Sequence, residues 1–280
     1  MIAVTAFTFA LLIGLVAANR KYTATMKFER FAQSIFSSVN RAAVLPASGS
    51  KGGRIVGGYD ATEGQFPHQV SLRRPPNFHF CGGSIIGPRW IISATHCTIG
   101  MEPANLNVYV GSVKLASGGV YYRTMRIVNH PLYDPDTIEN DISLIQTVQP
   151  IVFNEHTQQI GLPSMNLISA TGASISGWGR SNVSILLDNL QYMNVNILTM
   201  EECRAERPGS GNIFDSVICV SSPFGQGACS GDSGGPLIYD GMLHGIASFV
   251  RVPCATEVSD VYERVYSHLS WIASVTLWLR

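Results

Sequence analysis

Charged side chains are scarce in this sequence. Asp, Glu, Lys and Arg make up 14% of its 280 residues, against about 25% in an average globular domain, whereas 46% of the residues are hydrophobic. The 19 basic residues balance the 19 acidic ones. A composition this apolar excludes a disordered chain, and the lack of a basic surplus argues against binding to nucleic acid. The length allows two average domains or one large all-β domain.

Long uncharged hydrophobic runs are also rare. The one clear case extends from Ile2 to Ala18, ends on small residues and is followed by the polar segment Asn19 to Lys21. It is shorter than the roughly 20 apolar residues that span a bilayer. The run therefore predicts a secretory signal peptide that is cut near Ala18, rather than a membrane anchor. We expect an exported product without a membrane-spanning segment.

The charge is divided unevenly along the chain. Residues 19–54 contain seven basic residues and one acidic residue, a net charge of +6, which leaves −6 for residues 55–280. The first stretch closes on a Pro/Gly/Ser-rich tract, Pro46 to Gly53, that forms neither a stable helix nor a central strand and that a protease can reach. Upstream of this tract, helical spacing of apolar residues fits either a short amphipathic helix or a solvated spacer.

After Ile55 the sequence consists of short apolar or alternating runs separated by Gly, Pro, Asn and Ser. Such runs without intervening helices are typical of an all-β sandwich or barrel. Apolar residues from Tyr266 to Val275, three or four positions apart, predict one late helix. The predicted strands are 69–72, 84–86, 90–93, 106–110, 120–128, 142–146, 174–178, 195–198, 236–239 and 243–250.

Cysteine is absent before residue 81. An even number of cysteines in a secreted chain predicts disulfides, although six cysteines allow fifteen pairings. A zinc site is disfavoured, because there is no Cys-x2-Cys pair and His96 lies directly beside Cys97. The six cysteines are Cys81, Cys97, Cys203, Cys219, Cys229 and Cys254.

Three polar clusters lie within apolar surroundings: SATHC at 93–97, NDISLI at 140–145 and CSGDSGGP at 229–236. A serine hydroxyl is a weak nucleophile that needs a base, and the base needs an orienting partner, commonly His and then Asp. Flanking glycines leave the hydroxyl open and allow backbone N–H groups to converge on one point. By itself the GDSGG string also fits a Gly/Ser turn capped by an aspartate.

The clusters occur together with RIVGG at 54–58, HFCGGS at 79–84, GWG at 177–179 and DVYERV at 260–265. In this combination and in the order His, Asp, Ser, residues 55–280 resemble the chymotrypsin-like (trypsin family) serine proteases. The resemblance implies an all-β fold of two six-stranded antiparallel Greek-key barrels with a C-terminal helix. The string Gly-x-Ser-x-Gly also fits an α/β-hydrolase elbow, but that motif needs a helix after the serine, and residues 236–239 are strand-like.

The resemblance assigns roles residue by residue. It implies that Ser233 attacks the scissile carbonyl, that His96 takes and returns the proton, and that Asp141 orients His96. The N–H groups of Gly231 and Ser233 would form the oxyanion hole. The runner-up is a non-catalytic homologue that acts as a binding protein, although such homologues usually lose a triad residue and all three are present here.

The resemblance also implies activation by cleavage. A trypsin-like protease would cut after Arg54, and the new α-amine of Ile55 would fold inward to pair with Asp232. Residues 1–18, 19–54 and 55–280 would then be the signal peptide, the activation propeptide and the protease domain. The propeptide contains no cysteine and would have no covalent tether.

In the family, the residue six positions before the nucleophile forms the floor of the primary specificity pocket. It is Gly227 here, where trypsins have Asp, so strict Arg/Lys specificity is not expected. Val250 replaces a glycine that forms part of the pocket wall in the family. It lies in the segment that begins at Ser248, which in the family pairs with the substrate as an added strand. Asp260 replaces another glycine and would either attract a basic residue or be capped. We expect elastase-like cleavage after small or medium aliphatic residues, with chymotrypsin-like Leu/Phe cleavage as the alternative.

The remaining expectations concern covalent features and partners. The resemblance implies the disulfides Cys81–Cys97, Cys203–Cys219 and Cys229–Cys254. No cofactor is expected, and calcium is disfavoured because no Asp or Glu lies between residues 102 and 134. Asn182 begins a glycosylation sequon. We expect a secreted monomer that acts on polypeptides and binds proteinaceous inhibitors, and digestion in a gut lumen is the simplest role.

Overall fold

The structure, a computed structural model, describes residues 57–180, 188–251, 253–256 and 258–277. The predicted signal peptide, activation propeptide, Arg54, Ile55 and the sequon at Asn182 lie outside the described residues, so their roles stay predictions. Within the part of the chain that the structure describes, no helix is long and apolar enough to cross a membrane.

The first half of the protease domain forms a closed, antiparallel, six-stranded barrel. Its strands adjoin in the order β2-β3-β4-β7-β6-β5. The strands are β2 (Gln69–Arg74), β3 (Phe78–Gly87), β4 (Trp90–Ser93), β5 (Asn107–Val110), β6 (Val120–Asn129) and β7 (Ser143–Thr147).

The second half repeats this arrangement. Its six strands close in the order β8-β9-β10-β13-β12-β11, so each strand number is six higher than that of its counterpart in the first barrel. The short strand β1 (Tyr59–Asp60) pairs with β9 from outside the ring. The strands are β8 (Ala170–Gly177), β9 (Gln191–Ile197), β10 (Val217–Ser221), β11 (Pro236–Tyr239), β12 (Met242–Phe249) and β13 (Asp260–Arg264).

In each barrel three consecutive hairpin-connected strands lie beside a fourth that precedes them, which is a Greek key. The predicted fold of two six-stranded antiparallel barrels is therefore confirmed. Strands such as β9 alternate between apolar and polar residues. In β9 the apolar residues are buried and the polar ones between them are exposed, as shown by the buried Met193, Val195 and Ile197 and the exposed Asn194 and Asn196. A strand with this pattern packs one face on the barrel core and leaves the other in water.

Strands β10 and β13 were not among the predicted strands. All five residues of β13 are buried, although Asp260, Glu263 and Arg264 are charged. Such a strand does not alternate in hydrophobicity, because each of its charged side chains has a hydrogen-bond partner inside the protein rather than in water. Strand β10 is a continuous apolar run over most of its length, a pattern that also fits a buried helix segment.

The predicted C-terminal helix is present. A 3-10 turn, Val265–His268, leads into α3 (Leu269–Leu277). Ile272 of α3 belongs to the hydrophobic cluster of the first barrel, although α3 follows the second barrel in the chain. The helix therefore ties the two halves of the domain together.

Two other short helices and a 3-10 turn complete the fold: α1 (Thr95–Thr98), α2 (Met200–Glu206) and the turn Pro103–Asn105. Helix α2 was not predicted, but its N-terminus carries a sequence signal. Thr199 accepts from the Glu202 backbone N–H, and the Glu202 carboxylate accepts from the Thr199 N–H, which is a capping box.

Candidate active site

The three candidate catalytic residues come from both barrels. His96 lies in α1 directly after β4, Asp141 lies just before β7, and Ser233 lies just before β11 of the second barrel. The Gly82 N–H of β3 donates to the Ser233 carbonyl at 2.7 Å, so the serine segment is bonded directly to the first barrel. The fold thus brings residues that are up to 137 positions apart in sequence to the junction of the barrels.

Asp141 holds His96 by two hydrogen bonds. The His96 Nδ1 atom lies 2.6 Å from Asp141 Oδ2, and the His96 backbone N–H donates to Oδ1 at 2.8 Å. The Asp141 side chain is fully buried, whereas the His96 side chain is 28% exposed. With Nδ1–H committed to the carboxylate, Nε2 is the nitrogen that is left to accept a proton.

Ser248 adds a third hydrogen bond to Asp141. Its hydroxyl donates to Asp141 Oδ2 at 2.6 Å. Ser248 lies where the pairing of β12 with β13 shifts register between Ala247 and Phe249, and such a bulge re-aims a side chain. From the sequence, Ser248 was expected only in the substrate pocket. No local pattern indicated its contact with Asp141, because the two residues are far apart in sequence.

The turn before Asp141 uses left-handed backbone at two positions without glycine. Ile138 has φ of 61° and Asn140 has φ of 58°. Asparagine tolerates this conformation, whereas a β-branched residue rarely adopts it. The Asn140 side-chain amide donates to the Leu132 carbonyl at 3.0 Å, which fixes the turn that directs Asp141 inward.

Two buried hydroxyls join the histidine and aspartate segments. Thr95 Oγ1 donates to the Ile142 carbonyl at 2.6 Å, and Ser143 Oγ donates to the Ala94 carbonyl at 3.1 Å. The relative position of His96 and Asp141 is therefore set by the two residues that precede His96 and the two residues that follow Asp141.

Ser233 lies on a tight loop between two glycines with positive φ, Gly231 at 102° and Gly234 at 77°. A Cβ atom on Gly234 would lie 2.2 Å from the Ser93 hydroxyl oxygen and 2.6 Å from the Gly82 carbonyl oxygen, so no larger residue fits there. Among the described residues, neither the Gly231 N–H nor the Ser233 N–H donates to a protein acceptor. Two free donors beside a serine hydroxyl suit an oxyanion.

Asp232 is buried beside this loop and is held by main-chain donors. Gly179 N–H donates to its Oδ1 at 2.7 Å, and Cys229 N–H donates to its Oδ2 at 2.9 Å. Burial raises the pKa of Asp232 to about 6, and these two donors oppose the shift. Cβ atoms on Gly177 or Gly179 would lie 2.0 Å and 2.2 Å from its oxygens, which explains the glycines of the GWG string. No cation from the described ranges pairs with Asp232.

A small cavity of about 90 Å³ adjoins Ser233. Of the residues predicted for the substrate pocket, Val250 and Ser248 line this cavity, whereas Gly227 and Asp260 do not. The residues that line the cavity are Ala228, Cys229, Ser230, Asp232, Ser233, Ala247, Ser248, Phe249, Val250, Val261 and Tyr262.

Asp260 lies behind the cavity wall. Its Oδ2 accepts from the Ala228 N–H at 3.0 Å, and a Cβ atom on Gly227 would approach the same oxygen to 3.1 Å. Burial raises the pKa of Asp260 to about 6, and the positive charge of Arg207 acts in the opposite direction. Of the two alternatives for Asp260, the contacts favour capping by neighbours.

Arg207 is a pocket-side residue that sequence reasoning missed. Its guanidinium donates to the Ser259 carbonyl at 2.8 Å and lies 5.5 Å from the centre of the Phe249 ring. It follows α2 directly, so the capping box of that helix was the available signal for a structured segment here.

The structure contains three disulfides, Cys81–Cys97, Cys203–Cys219 and Cys229–Cys254, and these are the pairs that the resemblance implies. The first joins β3 to α1 beside His96. The Cys81, Cys97 and His96 donor atoms lie within 4.8 Å of one another. Because both sulfurs are in a disulfide, neither is available as the thiolate that zinc needs.

Two closed antiparallel barrels with a His–Asp pair and a glycine-flanked serine at their junction define the two-barrel class of serine proteases. The sequence model of the family described as Trypsin matches residues 55–272, and the chain belongs to this trypsin family of serine proteases.

Similar proteins carry both trypsin and chymotrypsin names. Chymotrypsin-2 of Vespa crabro is 39% identical over 220 residues, which cover 78% of this chain and 98% of that protein. Trypsin beta of Drosophila erecta is 38% identical over 79% of this chain and 87% of its own length. Trypsin delta of Drosophila melanogaster is 37% identical, with 79% and 88% covered. The names alone therefore leave the primary specificity open.

Proposed function

We propose that this protein is a secreted serine endopeptidase, made as an inactive precursor, that cleaves peptide bonds through an acyl-enzyme on Ser233. The observation that carries the proposal is the 2.6 Å contact between His96 Nδ1 and the buried Asp141 carboxylate, which leaves Nε2 as the base. Disulfides fit an oxidising extracellular compartment, and membership of the family implies polypeptide substrates.

In the proposed mechanism, Ser233 Oγ attacks the scissile carbonyl carbon while its proton passes to His96 Nε2. The carbonyl oxygen becomes an oxyanion that the free N–H groups of Gly231 and Ser233 stabilise. His96 then gives the proton to the leaving amine, and the C–N bond breaks. A water molecule then attacks the acyl-enzyme ester by the same steps and regenerates Ser233. Asp141 stabilises the imidazolium in both halves of the reaction.

The proposed activation step supplies a cation to Asp232. Cleavage after Arg54 creates the α-amine of Ile55, and an ammonium ion paired with Asp232 offsets the cost of a buried carboxylate. The support comes from Asp232 itself, which is buried, has a pKa raised to about 6 and, among the described residues, is held by the backbone donors Gly179 and Cys229. The same residue follows Gly231, so its state is coupled to the oxyanion donors.

The proposed primary specificity is for small or medium aliphatic side chains. The cavity beside Ser233 is small, Val250 lines it, and the carboxylate of Asp260 is directed to the Ala228 N–H. Cleavage after Leu or Phe is the second candidate, because the residue six positions before Ser233 is Gly227 and not the Asp of trypsins.

The test is a peptide panel with Ala, Val, Leu, Phe or Arg before the cut. kcat/KM is measured on the secreted protein before and after brief trypsin treatment, with the trypsin then inhibited. Activity that appears only after cleavage at Arg54 and is greatest for Ala, Val or Leu supports the proposal. Greatest activity on Phe means that Val250 moves aside, and greatest activity on Arg means that Asp260 sets the specificity.

Covalent labelling separates the enzyme from a binding protein. An organophosphate should label the cleaved protein at Ser233 and should leave the Ser233→Ala variant unlabelled. Absence of label on a cleaved, folded wild type would favour the non-catalytic homologue.

A further inference from the structure

A second cavity, of about 420 Å³, lies on the first barrel away from the catalytic cleft. Among the described residues, none lines both this cavity and the one beside Ser233. Trp90, which lines it, is the first residue of β4, whereas His96 follows the other end of that strand. The volume falls within the range of about 300–1,000 Å³ that is typical of small-molecule sites. The cavity is therefore large enough for a ligand that does not touch the triad.

The wall of this cavity is largely apolar and contains no acid in the part of the chain that the structure describes. Trp90, Pro88, Pro150 and Leu277 supply apolar surface from β4, two loops and the end of α3. Arg89 is the one charged residue among the described lining residues. An apolar wall with a single type of charge suits a ligand that has an apolar body and a charge of the opposite sign.

Arg126 brings a second positive charge to the edge of the cavity. Trp90 of β4 lies directly opposite Gln146 of β7, and Gln146 lies directly opposite Arg126 of β6. Residues directly opposite each other on adjacent strands share one face of the sheet. The Arg126 guanidinium carbon is 5.6 Å from the centre of the Trp90 ring. Because Trp90 and Gln146 both line the cavity, Arg126 lies immediately beside it.

The two arginines have no carboxylate partner. Arg126 Nε and Nη2 are buried and donate to no acceptor. Arg89 donates through Nη1 to the carbonyls of Thr147 and Val148. Within the described ranges, neither arginine forms an ion pair. A charged donor that is buried without an acceptor is costly, and contact with the Trp90 ring offsets only part of that cost.

We propose that this cavity binds a small organic anion with one charged head group on an apolar body. The head group is held by the free donors of Arg89 and by the positive charge of Arg126, and the body lies against Trp90 and Leu277. Guanidinium groups are well suited to carboxylates, which accept two parallel N–H bonds. The size of the cavity favours a small molecule over a protein partner, which needs a larger contact area. The inference does not depend on the proposed peptidase activity.

The test measures binding by isothermal titration calorimetry on the Ser233→Ala protein, which cannot digest itself by the proposed mechanism. Decanoate, below its micellar concentration, should bind at one site per chain. Decanol lacks the charge and acetate lacks the apolar body, so each should bind at least about tenfold more weakly. Absence of decanoate binding, or equal binding of decanol, would overturn the proposal. An inactive wild type would count against the peptidase and would leave this measurement unaffected.

Arginine variants locate the site. Arg89→Gln and Arg126→Gln should each weaken decanoate binding by about tenfold, because each removes one charged partner of the head group. Arg123→Gln is the matched control, since Arg123 is an exposed arginine of β6 that does not line the cavity. If the control weakens binding as much as the other two variants, the effect is one of overall charge and the assigned site is wrong. Arg89→Gln decides the matter if Arg126→Gln does not fold.

An internal competitor gives a second test of the position. Gln146→Glu places a carboxylate in the cavity wall opposite Arg126, so it should occupy the arginine and repel the anion, weakening decanoate binding by about tenfold or more. Gln149→Glu is the control, because Gln149 is an exposed glutamine outside the cavity. Decanoate binding that is unchanged in Gln146→Glu, or weakened equally in both variants, would contradict a site beside Arg126.

Discussion

Asp141 and Asp232 are both withdrawn from water beside the same cleft, with exposures of 0% and 4%, but their partners differ in kind. Asp141 accepts from His96 twice and from the Ser248 hydroxyl. Within the part of the chain that the structure describes, Asp232 accepts only from the backbone N–H groups of Gly179 and Cys229, and burial raises its pKa to about 6.

The comparison shows that burial does not by itself decide what a carboxylate does. Asp141 has an imidazole that becomes a cation when it takes a proton, so its charge is compensated within the site. Asp232 is bonded to backbone N–H dipoles but to no cation from the described residues. Because its pKa is raised, keeping the buried carboxylate ionised above pH 6 costs on the order of 3 kcal/mol relative to a carboxylate in water. The first site is suited to proton transfer, and the second to a switch that an added charge sets.

The largest expected effect comes from Asp141→Asn. The amide cannot hold His96 in the tautomer that leaves Nε2 as a base, so kcat should fall by about 10⁴-fold, measured on cleaved protein with active sites counted by titration. Asp136→Asn is the control, because Asp136 is an exposed acid on the same loop. Equal losses in both variants would remove Asp141 from the triad.

Asp232→Asn should come next. Without the carboxylate, the proposed Ile55 ammonium would have no partner, and the Gly231 and Ser233 donors would lose their geometry. We expect kcat/KM of the cleaved protein to fall by about 10²–10³-fold, with little change in the uncleaved precursor. A fully active cleaved variant would contradict the switch.

The alkaline limb sharpens the comparison further. The free α-amine has a pKa of about 7.7–8.0, and pairing with Asp232 raises it. The protonated amine stabilises the active state fully below its free pKa. This stabilisation is lost as the pH rises through the raised pKa of the paired amine. kcat/KM should therefore fall about tenfold per pH unit beyond that point, and this limb should be missing from Asp232→Asn. A flat rate from pH 8 to 11 in stable enzyme would exclude the pairing.

Ser248→Ala should have the smallest effect. It removes one of the three hydrogen bonds to Asp141, and a bond to a charged group is worth about 1.5 kcal/mol or more, so kcat should fall about tenfold. Ser274→Ala is the matched control, because its hydroxyl bonds the Trp271 carbonyl in α3. If Ser248→Ala behaves like Ser274→Ala, the third bond does not contribute to the function of Asp141.

Much of the fold was predictable because most strands alternate or form short apolar runs between turn residues. Strand β13 was not, since Glu263 and Arg264 are buried charges whose partners lie on other elements. Helix α2 was missed for a different reason. It is short, and only the Thr199–Glu202 capping box marks it.

By itself, the sequence determined the family, because glycine-flanked serine chemistry needs particular residues at particular local spacings. The resemblance to that family then implied the two-barrel fold and the identity of the candidate triad. The tertiary structure decided what those residues contact. Only folding brought Ser248 to Asp141 and directed Asp260 to the Ala228 N–H. These are contacts across strands and between barrels, and local sequence carries no record of which distant side chain will meet which.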